Sequence, residues 1–196
     1  MNRNLTELPT ELPVPLDDGA AAHLKGMSLA RIALPSTDGA TIDLGSLTGL
    51  SVIYIYPMTG RPGVPLPDGW DAIPGARGCT PQSCSFRDHY TELKALGSSV
   101  FGLSAQDSEY QREARDRLQL PFQLLSDSSL QLKSVLRLPT FHVSGLELYK
   151  RLTLIVDRGK IEKVFYPVFP PDKNAEEVLT WLKLHASTRR TREIDR

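Results

Sequence analysis

Cys79 and Cys84 are the only cysteines in the chain, and four residues separate them. They lie in the run Ala76-Arg-Gly-Cys-Thr-Pro-Gln-Ser-Cys-Ser-Phe-Arg-Asp-His-Tyr90. Phe86, Tyr90 and Leu93 follow at helical spacing. Pro81 suits the first position of that helix, with Thr80 as its cap. Cys79 is thereby placed at or beside a helix start, and Cys84 about a turn and a half inside. The unpaired N–H groups and positive dipole end of a helix start favour an anion. The thiolate form of cysteine is the nucleophile, and Arg77 and Arg87 add nearby positive charge. Cys84 is a candidate to resolve an oxidised Cys79.

The spacing alone leaves other readings open. Two cysteines can be inert, buried, small hydrophobes. A structural disulfide would require an oxidising compartment, for which the sequence gives no sign. A metal site needs more ligands, and His23, His89, His142 and His185 are scattered.

The elements that must position the pair are legible in outline. Ser51-Val-Ile-Tyr-Ile-Tyr56 is a continuous apolar, β-branched and aromatic run, as a strand covered on both faces requires. It ends at Pro57. From Thr59 to Gly78 comes a loop with Pro62, Gly63, Pro65, Pro67, Gly69, Pro74 and Gly75, anchored by Trp70 and Ile73. It reads either as a surface insertion or as a wall of a pocket at Cys79, because it leads directly there. Ahead of it, Ala30–Pro35 and Thr41–Leu44 flank an Asp38-Gly39 turn and predict a hairpin. Beyond the cysteines the pattern predicts a helix ending near Gly97, a strand at Val100–Ser104 and a helix capped by Ser108. A strand at Phe122–Leu125 and a helix from Asp127 to the stop at Pro139 come next. Arg151–Val156 and Ile161–Tyr166 read as a hairpin turned at Gly159, and Ala175 to about His185 as a closing helix with Val178, Leu179 and Leu182 inward. The order implies an α/β layered sheet.

The chain has 196 residues, 40% of them hydrophobic, which suits one domain with a substantial core. Residues 1–24 read as an extended arm, 25–187 as the domain and 188–196 as a charged tail. Lys plus Arg equals Asp plus Glu, so charge makes no case for nucleic acid or an anionic membrane. The first residues lack a signal-peptide pattern and no apolar run is long enough to span a bilayer. The expectation is a cytoplasmic protein.

Three segments together resemble the peroxiredoxins, specifically the PrxQ or bacterioferritin comigratory protein group. They are Tyr54-Ile-Tyr-Pro57, then Gly-Cys79-Thr-Pro-Gln-Ser-Cys84-Ser-Phe-Arg-Asp88, and later Arg151-Leu-Thr-Leu-Ile-Val-Asp157. The resemblance runs from about Lys25 to about His185. It implies a thioredoxin-like fold with a central mixed sheet, flanking helices and an N-terminal hairpin. It further implies a peroxidase whose Cys79 attacks hydrogen peroxide or an organic hydroperoxide, becomes a sulfenic acid, and is resolved by Cys84 as an intramolecular disulfide. A thioredoxin-like dithiol would restore the pair. The implied assembly is a monomer or homodimer, with no metal, haem or nucleotide cofactor.

By the same resemblance Arg151 is the guanidinium at the sulfur, and Gln82 is the residue that orients it. Gly78 and Thr80, flanking Cys79, are candidate substrate contacts. One position departs from the pattern. The family carries Thr or Ser three residues before the peroxidatic cysteine, and this chain has Ala76. Thr59 is the nearest alternative source of a hydroxyl. A rival reading is a thioredoxin-fold redox sensor or adaptor that reacts slowly with peroxide.

Overall fold

A computed structural model describes residues 7–194, with side chains to Ala186. The first six residues of the expected arm and the last two of the expected tail lie outside the described residues. The hairpin Ala33–Pro35 (β1) and Thr41–Asp43 (β2) turns at Gly39, whose φ of 89° suits a residue without a side chain. Leu50–Ile55 (β3) follows. The cysteine run forms one helix, Cys79–Asp88 (α1), and Tyr90–Ala95 (α2) continues after a break at His89. Then come Ser98–Ser104 (β4), Ser108–Leu118 (α3), Gln123–Ser126 (β5) and Gln131–Leu136 (α4). Thr140–Val143 (β6) and Leu146–Tyr149 (β7) precede Leu152–Asp157 (β8), Lys160–Phe165 (β9) and Asn174–Ile194 (α5).

The main sheet has five strands in the order β5-β4-β3-β8-β9. β3, β4 and β5 are parallel, while β8 and β9 pair antiparallel. This is the mixed sheet of a thioredoxin-like fold. β3 shows why its sequence is apolar throughout. Strand side chains alternate between faces, so Ile53 and Ile55 enter one core with Leu34, Leu103, Leu154 and Leu136. Val52, Tyr54 and Tyr56 enter the other with Cys79, Phe86, Leu93, Val178 and Leu182. Both faces are buried, and α1 and α5 cover the second. Among the described residues no helix is long and apolar enough to cross a membrane.

Several expected boundaries move. Asp107, not Ser108, caps α3 by accepting from the Tyr110 N–H at 2.7 Å. α4 begins at Gln131, because Asp127 stands ahead of it and accepts from the Gln131 and Leu132 N–H groups. The closing helix continues to Ile194, past the end expected near His185. Ala21 and Leu24 belong to the first core, ahead of the expected boundary after residue 24. The hairpin of β6 and β7 is absent from the sequence reading. It turns at Ser144-Gly145, with φ of 47° and 79°, the two-residue geometry of a tight hairpin.

The arm is held in place. Asp18 accepts from Lys150 Nζ at 2.6 Å and from the Tyr166 hydroxyl at 2.7 Å. Those bonds, Lys150 first, hold its carboxyl well below the usual carboxylate range. Further back, Leu8 reaches the turn before Cys79.

Candidate active site

α1 begins at Cys79 itself, one residue before the predicted cap. Gly78 is the N-cap, at φ 103°, and no side chain caps the helix. Thr80 lies within the first turn and so cannot occupy the capping position expected of it. Gly78 is fixed by space as well as conformation. A Cβ there would fall 2.3 Å from Pro171 Cγ and 2.8 Å from Leu8 Cδ2. Cys79 is 3% exposed, and its sulfur lies 3.6 Å from the Ala76 carbonyl oxygen.

Arg151 stands directly before β8, on the face that Thr153 and Ile155 share. It is 3% exposed. Its Nη2 donates to Cys79 Sγ at 3.1 Å and to the carbonyls of Ala76 and Arg77 at 3.0 and 3.1 Å. Nε donates to the Gly75 carbonyl at 3.2 Å, and Nη1 to Gln82 Oε1. A guanidinium has five N–H donors in a rigid fork. Here that fork binds the last turns of the long loop, the first turn of α1 and the sulfur together. A charged donor at this distance is matched to an anionic sulfur.

Gln82 extends the chain of contacts. Its amide donates to Asn174 Oδ1 at 3.0 Å, and the Thr153 hydroxyl donates to the same oxygen at 2.6 Å. Gln82, Thr153 and Asn174 are fully buried. The sequence reading missed Asn174. It is the first residue of α5, and nothing local in the sequence marks it for contact with α1.

The structure gives Thr59 a different task. Met58 and Gly60 line the small cavity at Cys79, and Thr59 between them does not. The Thr59 hydroxyl donates to Gln106 Oε1 at 3.1 Å, its N–H to the same oxygen at 2.9 Å, and its carbonyl accepts from Gln106 Nε2. All its polar groups are engaged with Gln106, so the expected pocket hydroxyl is not there. Ala76 is buried in a cluster with Trp70, Val143 and Leu148, which explains an apolar side chain at that position. Thr80 does line the cavity beside Cys79 and Gly78.

Cys84 is half-buried on the same helix, and both cysteines are free thiols. Burial pushes the Cys84 thiol up, opposed by Arg87. Phe86 and Tyr54 stack at 4.4 Å between ring centroids beside them, and the Tyr54 hydroxyl donates to Ser83 Oγ. Among the described residues no three His, Cys, Asp or Glu side chains group where they could hold a metal.

A mixed sheet between helices, with a buried cysteine opening the helix after the central strand and a guanidinium on its sulfur, defines a thioredoxin-fold protein with a thiol site. The chain belongs to the redoxin family, whose model matches residues 24–179. Its curated relatives include peroxiredoxins Q. It is 30% identical over 152 residues to the chloroplastic peroxiredoxin Q of Suaeda salsa, covering 76% of this chain and 63% of that one. It is 29% identical over 161 residues to that of Oryza sativa subsp. japonica, covering 81% and 66%. The chain thus spans just under two thirds of the length of these relatives. Among solved structures it resembles the peroxidoxin BcpB of Mycobacterium tuberculosis, with a TM-score of 0.67, 24% identity and coverage of 83% and 98%. Peroxiredoxin Q of Xanthomonas campestris gives 0.62, 20%, 90% and 99%.

Proposed function

We propose that this protein is a thiol peroxidase of the two-cysteine type, with Cys79 as the peroxidatic residue and Cys84 as the resolving one. The observation that carries the reading is the 3.1 Å contact of Arg151 Nη2 with Cys79 Sγ at the start of α1. The Cys79 thiolate attacks one oxygen of a hydroperoxide. A sulfur–oxygen bond forms and the oxygen–oxygen bond breaks. The departing alkoxide or hydroxide takes a proton and leaves as alcohol or water. Arg151 faces both the sulfur and the charge that grows on the leaving oxygen, where a preorganised donor acts most strongly. Free N–H groups of the first turn of α1 add to it.

The Cys84 thiolate then attacks the sulfenic sulfur, a disulfide forms and hydroxide departs. A dithiol reductant of the thioredoxin type returns two electrons and two protons by exchange. A dithiol-driven cycle of this kind would run in a reducing compartment such as the cytoplasm.

Coupled turnover tests the reading. With a thioredoxin, its reductase and NADPH, peroxide addition is expected to drive sustained NADPH oxidation. A single stoichiometric reaction followed by arrest would leave peroxide reactivity and remove turnover with this reductant.

A further inference from the structure

Arg87 follows Cys84 by three residues on α1, the spacing that puts two side chains on one face of a helix. Its guanidinium is held from two sides. Nη1 donates to the carbonyl of Leu118, the last residue of α3, at 2.9 Å, and Nε donates to Asp88 Oδ1 at 2.9 Å. Leu118 belongs to the apolar cluster on which Cys84 rests. Arg87, anchored there, hydrogen-bonds the Cys84 sulfur. Phe86, stacked on Tyr54 at 4.4 Å, pins the same end of the helix. The guanidinium therefore stays beside Cys84 when the first turn of α1 opens. The other charged groups near Cys84 have partners of their own. Arg117 on α3 is bound by Glu113 at 2.6 Å and by the Gly60 carbonyl at 2.9 Å, and Cys79 faces Arg151. Asp88 is exposed and turned to Arg87. Tyr54 and Tyr90, in the same cluster, carry phenols that are neutral at physiological pH.

We propose that Arg87 is the residue that makes Cys84 competent to resolve: its guanidinium, fixed by the Leu118 carbonyl, stabilises the Cys84 thiolate as it attacks the sulfenic sulfur of Cys79. This rests on the peroxidase reading and gives the second step the cation that Arg151 gives the first. Cys84 loses its proton, its sulfur bonds to that of Cys79, and the sulfur–oxygen bond of the sulfenic acid breaks. The departing hydroxide takes up a proton and leaves as water. Burial disfavours the charged sulfur and Arg87 opposes it. Removing a contacting opposite charge cuts the thiolate present at neutral pH roughly 10- to 100-fold. A more basic thiolate is also a better nucleophile, which returns about half of that loss on a logarithmic scale. The net effect on closure is about three- to tenfold.

The test times sulfenic acid formation and disulfide closure separately, by acid quench and intact mass after hydrogen peroxide is added to the reduced protein. At neutral pH, Arg87→Met should slow closure about three- to tenfold, and Arg87→Lys should restore most of it. The Cys79→Ser protein, whose one thiol is Cys84, gives a second readout that needs no helix opening: the rate of alkylation by iodoacetamide against pH. Adding Arg87→Met should move that profile to higher pH, and adding Arg87→Lys should move it less. Lost packing alone would change the alkylation rate at every pH and leave the profile where it was. An unmoved profile, or closure as fast in Arg87→Met as in the wild type, would overturn the role of Arg87 and leave the peroxidase intact. A wild type that forms sulfenic acid and never closes would instead remove Cys84 as the resolving residue, and the role of Arg87 with it.

Discussion

Arg151 Nη2 lies 3.1 Å from Cys79 Sγ although the two are 72 positions apart in the chain. The sheet makes this contact: β8 pairs beside β3 and delivers Arg151 to the point where the chain leaves the sheet for α1. Arg151→Met is expected to slow reaction with hydrogen peroxide by about 10²- to 10³-fold, the usual loss for one preorganised charge-stabilising donor. It also strips donors from the carbonyls of Gly75, Ala76 and Arg77 and should cost roughly 1–3 kcal/mol of stability. Stopped-flow rates at matched folded fraction check the first, and denaturant melts the second. A near wild-type rate would take Arg151 out of the site.

Gln82 positions that guanidinium by accepting from Nη1 and donating to Asn174. Gln82→Leu should lower the peroxide rate on the order of 10- to 100-fold through misplacement of Arg151. Gln82→Glu keeps an acceptor for Arg151 and should retain most of the rate. Equal losses in the two variants would mean that Gln82 only fills space.

The site was legible in the sequence where local chemistry and local position coincide. Cys79, Cys84 and the helix that carries both follow from spacing and turn signals. Arg151 and Gln82 came from resemblance alone, since nothing local marks either one. Asn174 escaped because its role depends on α5 docking against α1, a contact across 92 residues. Thr59 was misassigned because the sequence does not show Gln106 folding over it. The hairpin of β6 and β7 hid behind Pro139 and a short Ser-Gly turn. Its packing against Trp70 is what gives the long loop a fixed place.

Burial raises the Cys84 thiol above its ordinary value. Its thiolate is the attacking form, and the thiolate fraction grows with pH through the raised pKa. Disulfide closure after peroxide addition should therefore keep accelerating from about pH 7 to beyond about pH 10, past where an ordinary thiol with a pKa of about 8.5 levels off. Rapid acid quench and intact mass across that range give the rates. A closure rate flat above about pH 9.5 would mean that Cys84 titrates no higher than an ordinary thiol.

Cys79 and Cys84 share an unbroken helix of ten residues. Five steps along a regular helix put Cα atoms roughly 8–9 Å apart, at about 140° around the axis. A disulfide does not form beyond about 7 Å without backbone movement. Closing the proposed Cys79–Cys84 disulfide would therefore require the first turns of α1 to unwind. Hydrogen exchange at Gln82 to Phe86 is expected to be faster in the disulfide form than in the dithiol form. Equal protection, with the disulfide confirmed by mass, would mean that the helix bridges without opening.

The central claim is that Cys79 reacts first and Cys84 second. Reduced protein is mixed with one equivalent of hydrogen peroxide, quenched, and read by intact mass and free-thiol count. The wild type should lose both thiols and two hydrogens. Cys84→Ser should gain one oxygen, trapped by a sulfenic-acid reagent, and Cys79→Ser should keep its remaining thiol unchanged. Rapid oxidation of Cys84 in the Cys79→Ser protein, or no thiol loss in the wild type, would contradict the assignment.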